Sequence, residues 1–412
     1  MPKQRKIFYG WWVVIALFVV GMLGPLARNC MAAFFPFIAS ELEWSRSDIG
    51  LAQSLTMWMY AFFVLLSGRM TDRLGSRKTI LLGGLLCLGG WILLSTVGSL
   101  WQLYLYYGVI MALAVSMTHF VPIQATARKW FIKRAGLATG IIVAAHSVGV
   151  SIFIPLLTLM SSSFGWRSTS MICAFAFGIT IMLVAFFVIR DTPESIGLHP
   201  DNEQPASTSN NNQGIIEKSW AVKEAMKTPQ LWLLFIVYGV SGIPWQGLLS
   251  HMVMWGVDLG STMAAAGTFL TAMMLPSIIS KIGGGWLGDR HNKRRIIAIS
   301  YAFCLLIMLW GWQGIHTTQY LIIFALLMGI SAGLPIGLYT PLLGDLFGRA
   351  NVGSLFGILT MGHSLIGGCG PLLWGKLFEI SGSYNSVCVV SAGCYAIAAL
   401  AAYLVRPIAR TS

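Results

Sequence analysis

The sequence predicts an all-α membrane protein whose twelve transmembrane helices form two related halves of six. Three observations predict it. Of the 412 residues, 56% are hydrophobic and only 10% are charged, against about 25% charged in soluble domains; mean hydropathy is +0.73. The apolar residues fall in long runs, and runs of about 18 or more cross a bilayer as helices. A polar loop motif recurs in register in the second half. A water-facing surface cannot be assembled from so few charges, which excludes a soluble enzyme or binding module.

Taken in order, the runs cover 11–38, 48–68, 79–98, 101–126, 135–160, 168–189, 230–256, 263–287, 296–312, 319–343, 353–378 and 386–405. The basic start (Lys3, Arg5, Lys6) leads into an apolar run too long for a signal-peptide core, so no cleaved leader is expected. The seven cysteines all lie inside apolar runs without paired spacing, which predicts neither a disulfide framework nor a metal site. Residues 191–228 are the one long hydrophilic stretch. With the run Ser207–Gln213 inside it, the stretch reads as a flexible linker between halves 1–190 and 229–412.

Charge sets the orientation. Of 27 Lys and Arg residues, 22 fall in the termini and loops of one side, while Arg46 and Arg167 alone fall on the other. The positive-inside rule therefore places both termini in the cytoplasm, with the chain in the plasma membrane, or the inner membrane of a bacterium. The net charge of +13 is a topology signal; its short clusters between spans do not suit nucleic-acid binding. Arg28, Lys281 and Lys376 remain, inside the spans.

The loop Gly68-Arg-Met-Thr-Asp72-Arg73-Leu-Gly75-Ser-Arg77-Lys78 follows the second run, and Gly285-Trp-Leu-Gly-Asp289-Arg290-His-Asn292-Lys-Arg294-Arg295 follows the eighth. The copies stand 289 − 72 = 217 positions apart, with Asn292 departing from Gly75. The same offset maps Gly136, Gly140 and His146 onto Gly353, Gly357 and His363. Two matches at one offset argue for duplication, and six-helix halves related by an axis along the membrane normal are a transporter signature.

On these residues the chain resembles the major facilitator superfamily over its whole length. The resemblance implies alternating access, and a loop whose Asp72, Arg73, Asp289 and Arg290 lock neighbouring helix ends. Physically, Gly68 would permit close helix approach and Asp72 would face a helix N-terminus. Narrower matches are similar to the monocarboxylate transporter family: Trp130-Phe-Ile-Lys133-Arg134 with Leu137-Ala-Thr-Gly140 in the fifth helix, Tyr9-Gly-Trp-Trp12 at the entry to the first, and His251-Met-Val-Met-Trp-Gly-Val-Asp258 in the seventh. The Tyr9–Trp12 entry is also similar to the oxalate/formate exchangers.

A cation near the bilayer centre costs about 2.5–3.5 kcal/mol on insertion scales. Arg28, about 25 Å along its helix by rise per residue, either snorkels outward or faces a central cavity and attracts an anion. Lys281 is flanked by Ile278, Ile279 and Ile282. The resemblance makes it the eighth-helix carboxylate-binding cation, commonly arginine in that family, and links Asp258 to it as proton acceptor. Depth opposes direct contact, so a break of the seventh helix at Gly239, Gly242, Pro244 and Gly247 is expected, or coupling through substrate and water. Lys376 snorkels at an outer end. Since the first, fourth, seventh and tenth helices line the cavity in the superfamily, His119, His251, Asn29, Gln124, Gln246 and Tyr339 are further candidates. His146 and His363 are either cavity groups or symmetry-related packing positions.

The expected function is secondary transport of small organic anions, most simply proton-coupled monocarboxylate symport. Oxalate/formate-type exchange and a non-transporting membrane sensor are the alternatives. An enzyme is not expected, because no nucleotide loop or nucleophile–base constellation is present, and no cofactor is expected. Nor is an organic-cation exporter, which would want buried carboxylates. The expected partners are a small carboxylate, protons and the lipid bilayer, with no nucleic acid and no obligatory protein partner, the chain acting as a monomer.

Overall fold

A computed structural model of the chain describes residues 8–132, 134–202, 220–348 and 351–406. Lys3, Arg5, Lys6, Lys133, Lys218, Arg349, Arg410 and the Ser207–Gln213 run lie outside the described residues, as does the side chain of Asp289. Twelve helices among the described residues are long and apolar enough to cross a membrane, as expected. Spans 1 to 6 are Tyr9–Leu42, Arg46–Leu74, Ser76–Ser95, Leu100–Trp130, Ala138–Phe164 and Trp166–Phe187; spans 7 to 12 are Pro229–Asp258, Met263–Gly288, Lys293–Gln313, Thr318–Phe347, Val352–Ser381 and Tyr384–Leu404.

The interruptions of the spans matter most for function. Span 1 stops at Leu23, makes a short turn over Leu26–Asn29, and resumes at Met31. Pro25, lacking an N–H, opens the turn. The Arg28 carbonyl, at the resumption of the helix, accepts the Tyr107 hydroxyl. Gly24 is required because a Cβ there would stand 2.9 Å from the Thr118 carbonyl oxygen on span 4. Span 4 breaks in turn at His119 (φ −121°, ψ −137°), and span 10 breaks at Leu334-Pro335. The expected break of span 7 does not occur: Pro229–Asp258 is one helix of 30 residues. Its glycines serve close packing against span 11 instead, Gly242 against Gly367 and Gly247 against Trp374.

The duplication extends to three dimensions. Arg77 donates to the Phe186 carbonyl at the end of span 6 (2.6 Å), and Arg294, 217 positions later, donates to the Val405 carbonyl just past span 12. These contacts fasten two of the motif's basic residues to helix ends. Expectations for the other motif residues are corrected. Asp72 and Arg73 are exposed, with no hydrogen bond or ion pair among the described residues; Asp191 takes the helix N-terminus, accepting from the Arg77 backbone N–H at 2.9 Å. Arg290 lies over the Trp286 ring, 4.0 Å from its centroid. At Gly68 a Cβ would meet only Val121, at 3.8 Å, so no close approach requires glycine there.

The halves are joined by an ion pair and hydrogen bonds on the face away from the basic loops. On the closed face, Arg46 of span 2 donates to both carboxylate oxygens of Asp258 at 2.7 Å and to the Tyr384 hydroxyl at 2.8 Å. The Ser47 N–H donates to Glu379 (2.7 Å), and Trp58 to the Leu365 carbonyl (3.0 Å).

These glycine environments predict opposite outcomes. Gly24→Ala forces a β-carbon against a backbone carbonyl and should destabilise by about 1–3 kcal/mol, as overpacking does. Gly68→Ala should be neutral or slightly stabilising, since alanine is the better helix former. Thermal denaturation of the two purified variants checks both.

Candidate functional site: a cation-lined cavity between the halves

Between the halves lies a cavity of about 730 Å³ that reaches from Arg28 to Arg128 and Gly353 near the loop-bearing face. Its lining includes Arg28, Arg128, Lys281, His119, His146 and His363, and no aspartate or glutamate among the described residues. Three basic side chains with no described carboxylate beside them make a chamber of positive potential, where the low-dielectric walls strengthen charge interactions.

Local structure explains how each group arrives there. The interruption of span 1 turns Arg28 and Asn29 out of a continuous helix. The Arg28 guanidinium sits 5.4 Å from the centre of the Tyr60 ring, and its buried Nε has no protein partner. Asn29 hydrogen-bonds His146 at 3.0 Å. Next to His146, the Ser147 hydroxyl accepts from the Lys281 ammonium at 2.5 Å, across the boundary between the halves. His146 and Ser147, adjacent on span 5, thus hydrogen-bond to Asn29 of span 1 and Lys281 of span 8, respectively. His119 reaches the cavity because span 4 breaks at that residue; its ring centre lies 5.8 Å from that of His146, and its buried Nδ1 is unpartnered. Among the described residues, then, the groups best placed to meet an anion retain unused hydrogen-bonding capacity.

The second half repeats this amide–histidine pair beside Trp245 in place of Arg28. Gln246 hydrogen-bonds His363 at 3.0 Å, the same distance as Asn29 to His146. Both members of the pair are displaced by 217 positions, since 246 − 29 and 363 − 146 are equal. Both histidines line the cavity, which resolves the choice between chamber and mere packing.

Several sequence-expected residues stand elsewhere. His251 is fully buried, bonded to the Pro371 carbonyl (3.0 Å) and the Tyr384 hydroxyl (3.2 Å), and does not line the cavity. Phe35 and Trp374 rings crowd it on the closed face. Tyr339 lies behind the wall, its hydroxyl 2.8 Å from that of Tyr301, which does line the cavity. Asn29 borders a small adjoining pocket of about 20 Å³ rather than the main chamber. Asp258 is held by Arg46 on the closed face, not by Lys281, because span 7 stays helical and carries Asp258 to its far end. Gln124 and Gln246 line the cavity as expected. Sequence reasoning missed Tyr60, Ser147 and Arg128. Tyr60 and Ser147 carry no sequence signal beyond a polar atom in an apolar run, while Arg128 was absorbed into the topology charges.

The chain matches the family model for the Major Facilitator Superfamily over residues 17–269 and 234–412. It is 22% identical over 407 residues to monocarboxylate transporter 12 of Homo sapiens, covering 92% of this chain and 77% of that protein. With monocarboxylate transporter 2 of Rattus norvegicus it shares 24% over 407 residues, 94% of this chain and 82% of that protein. Its fold is similar to a bacterial homolog of the human lysosomal transporter Spinster in an inward-facing, unoccupied conformation, with a TM-score of 0.75, 15% identity, and coverage of 97% and 95%.

The closed face yields a prediction. Asp258→Ala leaves the Arg46 guanidinium, only 15% exposed, without its partner, and should weaken the closure by about 1–2 kcal/mol. Double electron–electron resonance between spin labels at the exposed Ser40 and Ser381 should then gain a longer-distance population. An unchanged distribution would mean the pair does not hold that face shut.

Proposed function

The chain belongs to the major facilitator superfamily, and from that premise we propose that it carries small organic anions, most simply monocarboxylates, together with protons, by alternating access. It is a secondary transporter distantly related to monocarboxylate transporters over most of its length. The observation that carries the reading is the cavity lined by Arg28, His119, His146 and Lys281, with no carboxylate among its described residues.

The mechanism follows from charge. Arg28 supplies the fixed guanidinium for the carboxylate and Lys281 the second cation, in exchange for its contact with Ser147. That contact joins span 8 to span 5, so a substrate that draws Lys281 away couples occupancy to the packing of the two halves. A chamber histidine, His119 or His146, is the group this reading assigns to the coupled proton, in place of Asp258, which Arg46 engages outside the chamber. One proton with each monocarboxylate cancels the charge moved and avoids about 2.3 kcal/mol of work per charge per 100 mV. With the positive loops in the cytoplasm, the open cavity faces inward.

The placement of Asp258 outside the cavity favours one second reading, proton-independent exchange of carboxylates, in which the fixed cations must always cross neutralised by an anion. Uptake of labelled lactate into proteoliposomes separates the two. Symport predicts accumulation that rises with an inward proton gradient. Exchange predicts indifference to the gradient and a requirement for carboxylate loaded inside. Arg28→Ala and Lys281→Ala should each lower carboxylate affinity at least tenfold, consistent with losing a charge-assisted hydrogen bond of about 1.5–3 kcal/mol. Retained affinity in both variants would remove the site assignment.

A further inference from the structure

The two halves share a scaffold yet line the cavity with different chemistry. The second half presents Tyr238, Trp245, Tyr301, Phe356 and Tyr395 to the chamber. Shifted back by 217 positions, these correspond to Gly21, Arg28, Gly84, Thr139 and Gly178, none of them aromatic. The difference at 28 and 245 is the sharpest: one copy of the position holds a cation and the other an indole.

The rings form a wall. Tyr238 stacks on His363 with centroids 4.5 Å apart and planes 22° apart, and lies 6.2 Å from Phe356 at 30°. Tyr301 stacks on Tyr395 at 5.8 Å and 21°. Tyr238, Trp245 and Phe356 are each only partly buried, so their rings give the chamber an apolar surface against which a further ring can pack. Arg28 and His119 line the same chamber, with Tyr60 and Phe120 beside them, so one ligand can meet both a cation and aromatic rings there. An acid of two or three carbons satisfies the first and leaves the second untouched.

Resting on the anion-carrier reading, we infer that the substrate class is the aryl-bearing monocarboxylate, its carboxylate at the Arg28 side and its ring against Tyr238 and Phe356. No covalent step is involved; the ring adds apolar burial and stacking to the charge interaction, and the cavity has the volume to hold both ends.

The test is equilibrium binding to the purified full-length protein in lipid nanodiscs, with propionate, 3-phenylpropionate, 3-cyclohexylpropionate and 3-phenylpropionamide as probes. We expect 3-phenylpropionate to bind roughly tenfold or more tighter than propionate, and severalfold tighter than the cyclohexyl acid, while the amide fails to compete. Phe356→Leu, which keeps bulk and removes the ring, should narrow the ratio of phenylpropionate to propionate affinity severalfold. A misfolded variant would instead lose both. Equal binding of propionate and phenylpropionate, parity of the phenyl and cyclohexyl acids, or an unchanged ratio in Phe356→Leu would overturn the aryl assignment and leave the anion reading standing. Absence of binding by all three acids, or an amide as good as the acid, would overturn the anion reading itself.

Discussion

Positive charge cannot rest in hydrocarbon without water or a counter-charge, and the arrangement of this protein follows from that constraint. Arg28 and Lys281 sit within membrane spans, and no described carboxylate faces them. The fold accommodates both in one aqueous chamber at the junction of the halves. A helix interrupted by Gly24-Pro25 turns Arg28 toward that chamber, and Ser147 on the opposite half holds the Lys281 ammonium. By contrast, Asp258, at the end of span 7, is matched on the closed face by an arginine in bidentate contact. Charge is thus compensated on the closed face and left open in the chamber, an asymmetry expected of a carrier whose ligand supplies the missing charge.

Duplication supplied the scaffold, and divergence supplied the chemistry. The amide–histidine pairs Asn29–His146 and Gln246–His363 repeat at one offset and one distance, tying span 1 to span 5 and span 7 to span 11. Around these common ties the substituents differ: Arg28 against Trp245, His119 against Ile336, Val64 against Lys281. Two-fold related helices therefore produce a site without two-fold symmetry, as an asymmetric solute requires.

Much of this was legible in the sequence because the bilayer leaves few choices. Unsatisfied backbone groups are so costly in lipid that a run of apolar residues becomes a helix, and all twelve spans follow. The motif copies fixed the 217-residue offset, and Arg28, His119 and Lys281 stood out as polar groups where water is scarce. What was not legible depended on helix direction and partner choice. His251 has the same hydropathy signature as His119, yet span 4 breaks at His119 and exposes it, while span 7 stays helical and buries His251 beneath Phe35 and Trp374. The continuity of span 7 reverses what its glycines and proline suggest, because Gly242 and Gly247 answer to the crowding of span 11, a neighbour more than a hundred residues away. Asp258 was assigned to a cation in its own half, whereas Arg46, from the other half, lies against it.

The central claim, that an anion settles between Arg28 and Lys281, is tested most directly by locating one. A crystal soaked in 3-bromopropionate, with diffraction recorded at the bromine edge, marks the ligand unambiguously. The account predicts bromine density inside the chamber, with the carboxylate within hydrogen-bonding distance of the Arg28 guanidinium or the Lys281 ammonium. Bromopropionate seated only at the loop-bearing mouth, or lying in the chamber with its carboxylate turned away from both cations, would contradict it.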